Sequence, residues 1–154
     1  MMENEFLINT VLEDDLKGIF ELEKQVFGKM SYPLFVLRQF YDICQDCFLI
    51  ATDSQNKVLG YTLGNYNIQT QTGWILSLAV SADIQSKGVG FSLSQSLIEK
   101  MKNHGITQIF LTVSPTNHAA LKLYKKLQFV AHSFDNNYYG DQEERMVMCL
   151  NPKL

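Results

Sequence analysis

No stretch of this sequence approaches the roughly 20 consecutive apolar residues of a bilayer-spanning helix, and the opening MMENEFLINT has neither the basic segment nor the apolar core of an export signal. Both absences point to a cytoplasmic protein with no membrane partner. Basic residues are short as well. Thirteen Lys and Arg against sixteen Asp and Glu leave a formal charge of −3, the wrong sign for a nucleic-acid footprint. Cysteine occurs three times, as Cys44, Cys47 and Cys149, an odd number that speaks against a disulfide framework. Cys44 and Cys47 form a lone C-x-x-C where a helix gives way to a strand, whereas a redox pair would open a helix. No second pair offers the further ligands of a zinc site, so both read as ordinary thiols and no metal is expected. Repeats, low-complexity tracts and linkers are missing too. At 154 residues the chain has the size of one domain, and 1–154 is read as such.

What is present alternates between two periods. Glu5–Thr10 is a strand candidate, and Glu13–Phe27 carries Leu16, Ile19, Phe20, Leu22 and Val26 at helical spacing, led by acids that suit a helix N-terminus and stopped by Gly28. Ser31-Tyr32-Pro33 opens a second helix. Cys47–Thr52 and Val58–Tyr66 read as a hairpin, with Trp74–Val80 as the next strand. Val89, Leu93, Leu97, Ile98 and Met101 then form one helical stripe that ends at His104-Gly105. Strand Gln108–Val113, helix Thr116–Lys126 and strands Phe129–Phe134 and Arg145–Leu150 complete the chain. The expected architecture is α+β, a mixed but mostly antiparallel central sheet flanked by helices, with one parallel crossover between Ile75 and Val113.

Between the fourth strand and its helix stands Gln85-Ser-Lys-Gly-Val-Gly90. Two glycines there fit a tight turn, and they equally fit a cradle where backbone approaches an anion at the positive end of a helix. Neither the G-x-x-x-x-G-K-[ST] nor the G-x-G-x-x-G pattern is present.

With Leu78-Ala-Val80, the N-x-x-A-x-x-L-Y-x-x-L-x-F segment from Asn117 to Phe129, and Asn137-Tyr138-Tyr139-Gly140 before the last strand, the chain resembles the GNAT superfamily of N-acetyltransferases. The nearest likeness is to the ribosomal-protein-alanine and protein N-terminal subgroup. The resemblance implies acetyl-CoA as co-substrate. Its diphosphate would lie on Gln85, Lys87, Gly88, Val89, Gly90 and Phe91, its pantetheine arm along Leu78, Ala79 and Val80, with Asn117 beside the arm or serving as a helix cap. Tyr124 stands at the position of the acid that protonates the departing sulfur, or is a core aromatic. Tyr138 and Tyr139 would hold the acceptor, or pack on the sheet as a hairpin. Tyr32 would line the acceptor pocket or staple a helix start.

The base is open. Where related enzymes carry L-E-V, this chain has Leu111-Thr112-Val113, and threonine is no base. Glu23 and His118 are substitutes, each otherwise a solvated helix residue. The M-S-Y-P run near Tyr32 departs from the P-W-S of related N-terminal enzymes and puts an alanine-ended ribosomal protein in doubt. The implied activity is direct acetyl transfer, by a monomer or homodimer, to the α-amine of a protein or peptide. The alternatives are a small amine, such as a polyamine or amino sugar, and a non-catalytic acyl-CoA-binding module.

Overall fold

The computed structural model describes residues 5–84 and 87–152. Its elements are β1 (Leu7–Thr10), α1 (Leu16–Phe27), α2 (Leu34–Ile43), β2 (Phe48–Thr52), β3 (Val58–Asn67), β4 (Thr72–Val80), α3 (Val89–Asn103), β5 (Gln108–Val113), α4 (His118–Lys126), β6 (Val130–Asp135) and β7 (Arg145–Leu150). The order of strands and helices is the one expected from the periodicities. β1 begins at Leu7 rather than Glu5, α1 at Leu16 rather than Glu13, β2 at Phe48 rather than Cys47 and β6 at Val130 rather than Phe129; two further shifts have local reasons. β4 begins at Thr72 rather than Trp74, because the Asn67 side chain turns the chain early by accepting from the amides of Gln69 and Thr70. α4 begins at His118 rather than Thr116, because Asn117 is its cap. The strands form a seven-stranded sheet in the order β1-β2-β3-β4-β5-β7-β6. β4 and β5 are parallel, and the pairs β1–β2, β2–β3, β5–β7 and β6–β7 are antiparallel, as the single crossover requires.

The chain falls into two compact units, Met1–Gly64 with Ser77–Lys100 and Asn65–Leu76 with Met101–Leu154. In the first, Leu16, Ile19 and Leu22 of α1 and Leu37 of α2 join Phe48 and Ile50 of β2 and Tyr61 and Leu63 of β3 in one buried cluster. Each such apolar side chain removed from water contributes about 1.5–3 kcal/mol. Gly28, at φ +55, ends α1 in a conformation that side chains disfavour. Gly60 serves a different purpose. A Cβ there would lie 2.9 Å from the Ala79 carbonyl oxygen, 3.1 Å from Leu93 and 3.2 Å from Val89. The missing side chain is what lets β3, the end of β4 and the first turns of α3 approach so closely.

In the second unit β5 alternates strictly. Ile109, Leu111 and Val113 are buried, while Phe110 and Thr112 stay half-buried. Trp74 stacks on Phe110 at 5.2 Å, and His132 meets the same ring edge-on at 5.5 Å. The β4–β5 ladder runs from Thr72–Gln108 to Trp74–Phe110. Among the described residues of this unit no further β4–β5 pair follows, although β5 continues to Val113.

Candidate active site

The glycine bend leads into α3. Lys87 and Gly88 are exposed, and Gly88 sits at φ +84 with nothing within 4 Å of the place a Cβ would occupy. At the start of the helix the Ser92 amide donates to the Gly88 carbonyl at 3.0 Å. Helix geometry points the first amides outward along the axis, and the dipole makes this end positive. An open left-handed glycine at that end, beside an exposed lysine, fits a diphosphate. Val89 is buried and anchors the turn, while Gly90 and Phe91 are half-buried. Gln85 lies outside the described residues. Just upstream, Ala79 is buried and Leu78 and Val80 are half-buried. Flanking backbone is already committed: the Ser77 carbonyl accepts from the Thr62 hydroxyl at 2.9 Å, and the Ser81 amide donates to the Leu59 carbonyl at 2.8 Å.

The same unit holds a carboxylate that the sequence misplaced. Glu23 is 1 % exposed, which corrects its reading as a solvated helix residue. It follows the buried Ile19 by four positions on α1 and adjoins the buried Leu22, so it lies on the core-facing side of the helix and its side chain is carried inward. Its Oε1 accepts from the Tyr61 hydroxyl and, at 3.4 Å, from Ser77 Oγ, and its Oε2 accepts from the Tyr32 amide at 2.6 Å. Tyr61 and Ser77 also bond each other at 3.0 Å. Burial and the neighbouring Glu23 raise the Tyr61 pKa far above its ordinary value. Donors of the protein itself thus occupy Glu23. Tyr32, whose amide it holds, is partly buried with its ring against Phe40 at 5.3 Å.

In the second unit, Asn117 caps α4 by accepting from the Ala120 amide at 3.2 Å, and His118 is exposed at the first helical position. Tyr124 is only 8 % exposed, its ring edge-on to Phe129 at 5.8 Å. Burial pushes its phenol up to about 12, so near neutral pH it is a protonated donor. The β6–β7 connection is exposed throughout, yet the Tyr139 hydroxyl lies 2.7 Å from Thr112 Oγ1. Tyr138 meets Tyr139 edge-on at 5.0 Å. The cysteines are free and buried, and burial raises the pKa of each. Cys149 is therefore a poor thiolate nucleophile.

Sequence reasoning missed Tyr61, Ser77 and Gly60. Only Gly60 left a signal, an isolated glycine inside a strand, which marks close backbone approach.

The left-handed glycine at the start of α3 and the capped α4 with its buried phenol lie on the motifs that carry the resemblance in the sequence. The chain belongs to the acetyltransferase (GNAT) family, whose model matches residues 16–129. It is an acyltransferase, and acetyl-CoA is the donor used by this family. It is 30 % identical over 146 residues to a protein of Sulfolobus acidocaldarius named N-alpha-acetyltransferase, covering 88 % of this chain and 86 % of that one. It is 32 % identical over 79 residues to the [ribosomal protein bS18]-alanine N-acetyltransferase of Escherichia coli, covering 49 % and 53 %. Its fold matches a chain of the NatC complex bound to Gag peptide and CoA with a TM-score of 0.87 at 22 % identity, over 97 % of this chain and 99 % of the other.

Proposed function

We propose that this N-acetyltransferase acts on the α-amine of a protein or peptide. The observation that carries the reading is the similarity, over nearly the whole of both chains, to a protein named N-alpha-acetyltransferase. The chemistry of the second unit supports it. Thr112 offers no base, and an α-amine, with a pKa of about 7.7–8.0, already has a sizeable neutral fraction near neutral pH, whereas lysine at about 10.4 does not.

In this reading Lys87, Gly88 and the opening amides of α3 hold the diphosphate of acetyl-CoA, and the strand from Leu78 to Val80 offers backbone to the peptide-like pantetheine arm. Asn117 fixes the start of α4. Tyr124 donates its proton to the departing thiolate as the neutral amine attacks the thioester carbonyl: the new C–N bond forms, the C–S bond breaks, and the amine gives up its proton to water. Glu23 holds the Tyr32 loop instead of acting as a base. Tyr32, Tyr138 and Tyr139 serve the acceptor.

The test is incubation with acetyl-CoA and two panels, free-N-terminal peptides and small amines including a polyamine and an amino sugar. Peptides are expected to turn over, and blocking their α-amine to abolish the reaction. Acetylation confined to the small amines would overturn the proposal.

A further inference from the structure

The β6–β7 connection is held in a way that burial does not explain. Tyr138 is 37 % exposed and Tyr139 57 %, and residues 131–144 are exposed without exception. Local bonds fix the shape of the turn. The Asn137 amide donates to Asp135 Oδ1 at 2.7 Å, the Gln142 amide to Asn137 Oδ1 at 2.7 Å, and the Gly140 amide to the Asn137 carbonyl at 3.1 Å. Bonds of this kind keep a turn folded without saying where it lies over the sheet. That is decided by contacts that leave it. The Tyr139 hydroxyl reaches Thr112 Oγ1 on β5 at 2.7 Å, across 27 positions of sequence, while the Arg145 guanidinium lies 5.5 Å from the centre of the Tyr139 ring. The ring is held through its face by Arg145, and the hydroxyl is aimed by Thr112.

The chemistry of the pair is specific. Two hydroxyls sharing one hydrogen bond retain one further proton and free lone pairs, and either hydroxyl can be the donor. The pair can therefore present a donor or an acceptor without carrying charge. The main chain beside a peptide α-amine displays a carbonyl and an amide hydrogen, and a pair of reversible polarity matches either.

We propose that Thr112 is a positioning residue, its hydroxyl aiming the Tyr139 phenol so that Tyr139 binds the main chain of a peptide acceptor. This rests on the peptide reading above and deepens it. Threonine at this position supplies orientation where a proton acceptor would otherwise be sought.

The experiment compares Thr112→Val, Thr112→Ser, Tyr139→Phe and the Thr112→Val/Tyr139→Phe double variant. Steady-state kinetics are measured with a peptide acceptor, and hydrogen–deuterium exchange is measured over residues 136–144. Loss of one hydrogen bond predicts about a fivefold rise in the KM of the peptide for Thr112→Val and for Tyr139→Phe. The KM of acetyl-CoA should move less than about twofold, Thr112→Ser should restore the peptide KM, and the double variant should be no worse than the singles. Exchange in the turn should quicken in Thr112→Val and return to normal in Thr112→Ser. A peptide KM unchanged by Thr112→Val, or multiplied effects in the double variant, overturns the proposal. So does a turn that exchanges normally without the threonine hydroxyl. If Thr112→Val does not fold, Tyr139→Phe, altered at an exposed side chain, decides through the same readouts. If the unmodified enzyme acetylates no peptide, the functional reading has failed, and exchange still decides whether Thr112 holds the turn.

Discussion

The Tyr61 phenol on β3 donates a hydrogen bond to the Glu23 carboxylate on α1 inside the first unit, where Glu23 is 1 % exposed. The other carboxylate oxygen takes the Tyr32 amide at 2.6 Å, so one buried side chain ties a helix, a strand and the loop leading to α2. Removing it takes an acceptor from the Tyr32 amide and leaves the Tyr61 and Ser77 hydroxyls to share one bond with each other. Glu23→Ala is expected to lower stability by about 3 kcal/mol, and Glu23→Gln, which keeps an acceptor oxygen, by about half as much. Urea unfolding measures both, and equal stabilities for the variant and unmodified proteins would contradict the assignment.

Tyr124 should separate chemistry from binding. With the phenol acting on the departing sulfur, Tyr124→Phe is expected to lower turnover about 100-fold while acetyl-CoA binding, followed by calorimetry, stays nearly the same. Unchanged turnover would remove Tyr124 from the mechanism.

The same phenol predicts a pH dependence of stability. In the unfolded chain it ionises at about 10, whereas in the folded chain it keeps its proton up to about 12. The unfolded state therefore releases its proton first as pH rises. The stabilisation is complete below about pH 10 and is lost as pH rises toward the folded value. Tyr61 is raised as well and acts in the same direction, so Tyr124→Phe should reduce the alkaline loss of Tm without abolishing it. Melting at about pH 9 and about pH 11 decides; identical losses in both proteins would refute it.

Two glycines of the first unit should fail differently. Gly88→Ala meets no atom within 4 Å but must adopt φ +84, a strain of about 1–2 kcal/mol at the point where the diphosphate is proposed to bind. Gly60→Ala has an ordinary conformation available but places a methyl 2.9 Å from the Ala79 carbonyl oxygen and against Val89 and Leu93, an overpacking cost of about 1–3 kcal/mol. Because Gly60 touches the first turns of α3, its substitution is expected to weaken CoA binding along with stability. CoA titration and thermal melting of both variants test this, and a Gly60→Ala protein with unaltered CoA affinity would show that α3 is held from elsewhere.

Much of the molecule could be read before its structure. The stripe Val89, Leu93, Leu97, Ile98 and Met101 is buried throughout, the Asn117 cap is made, and β4 and β5 run parallel. These follow from local rules of spacing, capping and crossover. Glu23 could not be placed this way. A carboxylate on an amphipathic helix belongs in water on solvation grounds alone, and its burial becomes tolerable only because Tyr61, Ser77 and Tyr32 supply donors from 38, 54 and 9 positions away. Tyr139 is a parallel case, since its partner Thr112 lies on β5, 27 positions away.

The sequence by itself determined the order of elements, the stops of α1, α3 and α4 and the presence of a glycine-rich entry to α3, because periodicity, capping and backbone freedom act over a few residues. The tertiary structure alone decided which polar groups meet: that Glu23 is sealed by three donors, that Thr112 aims Tyr139, and that β3 needs a bare backbone at Gly60. Those pairings depend on distances between segments remote in the chain, and a hydrogen bond forms only where folding brings donor and acceptor within about 3 Å of each other.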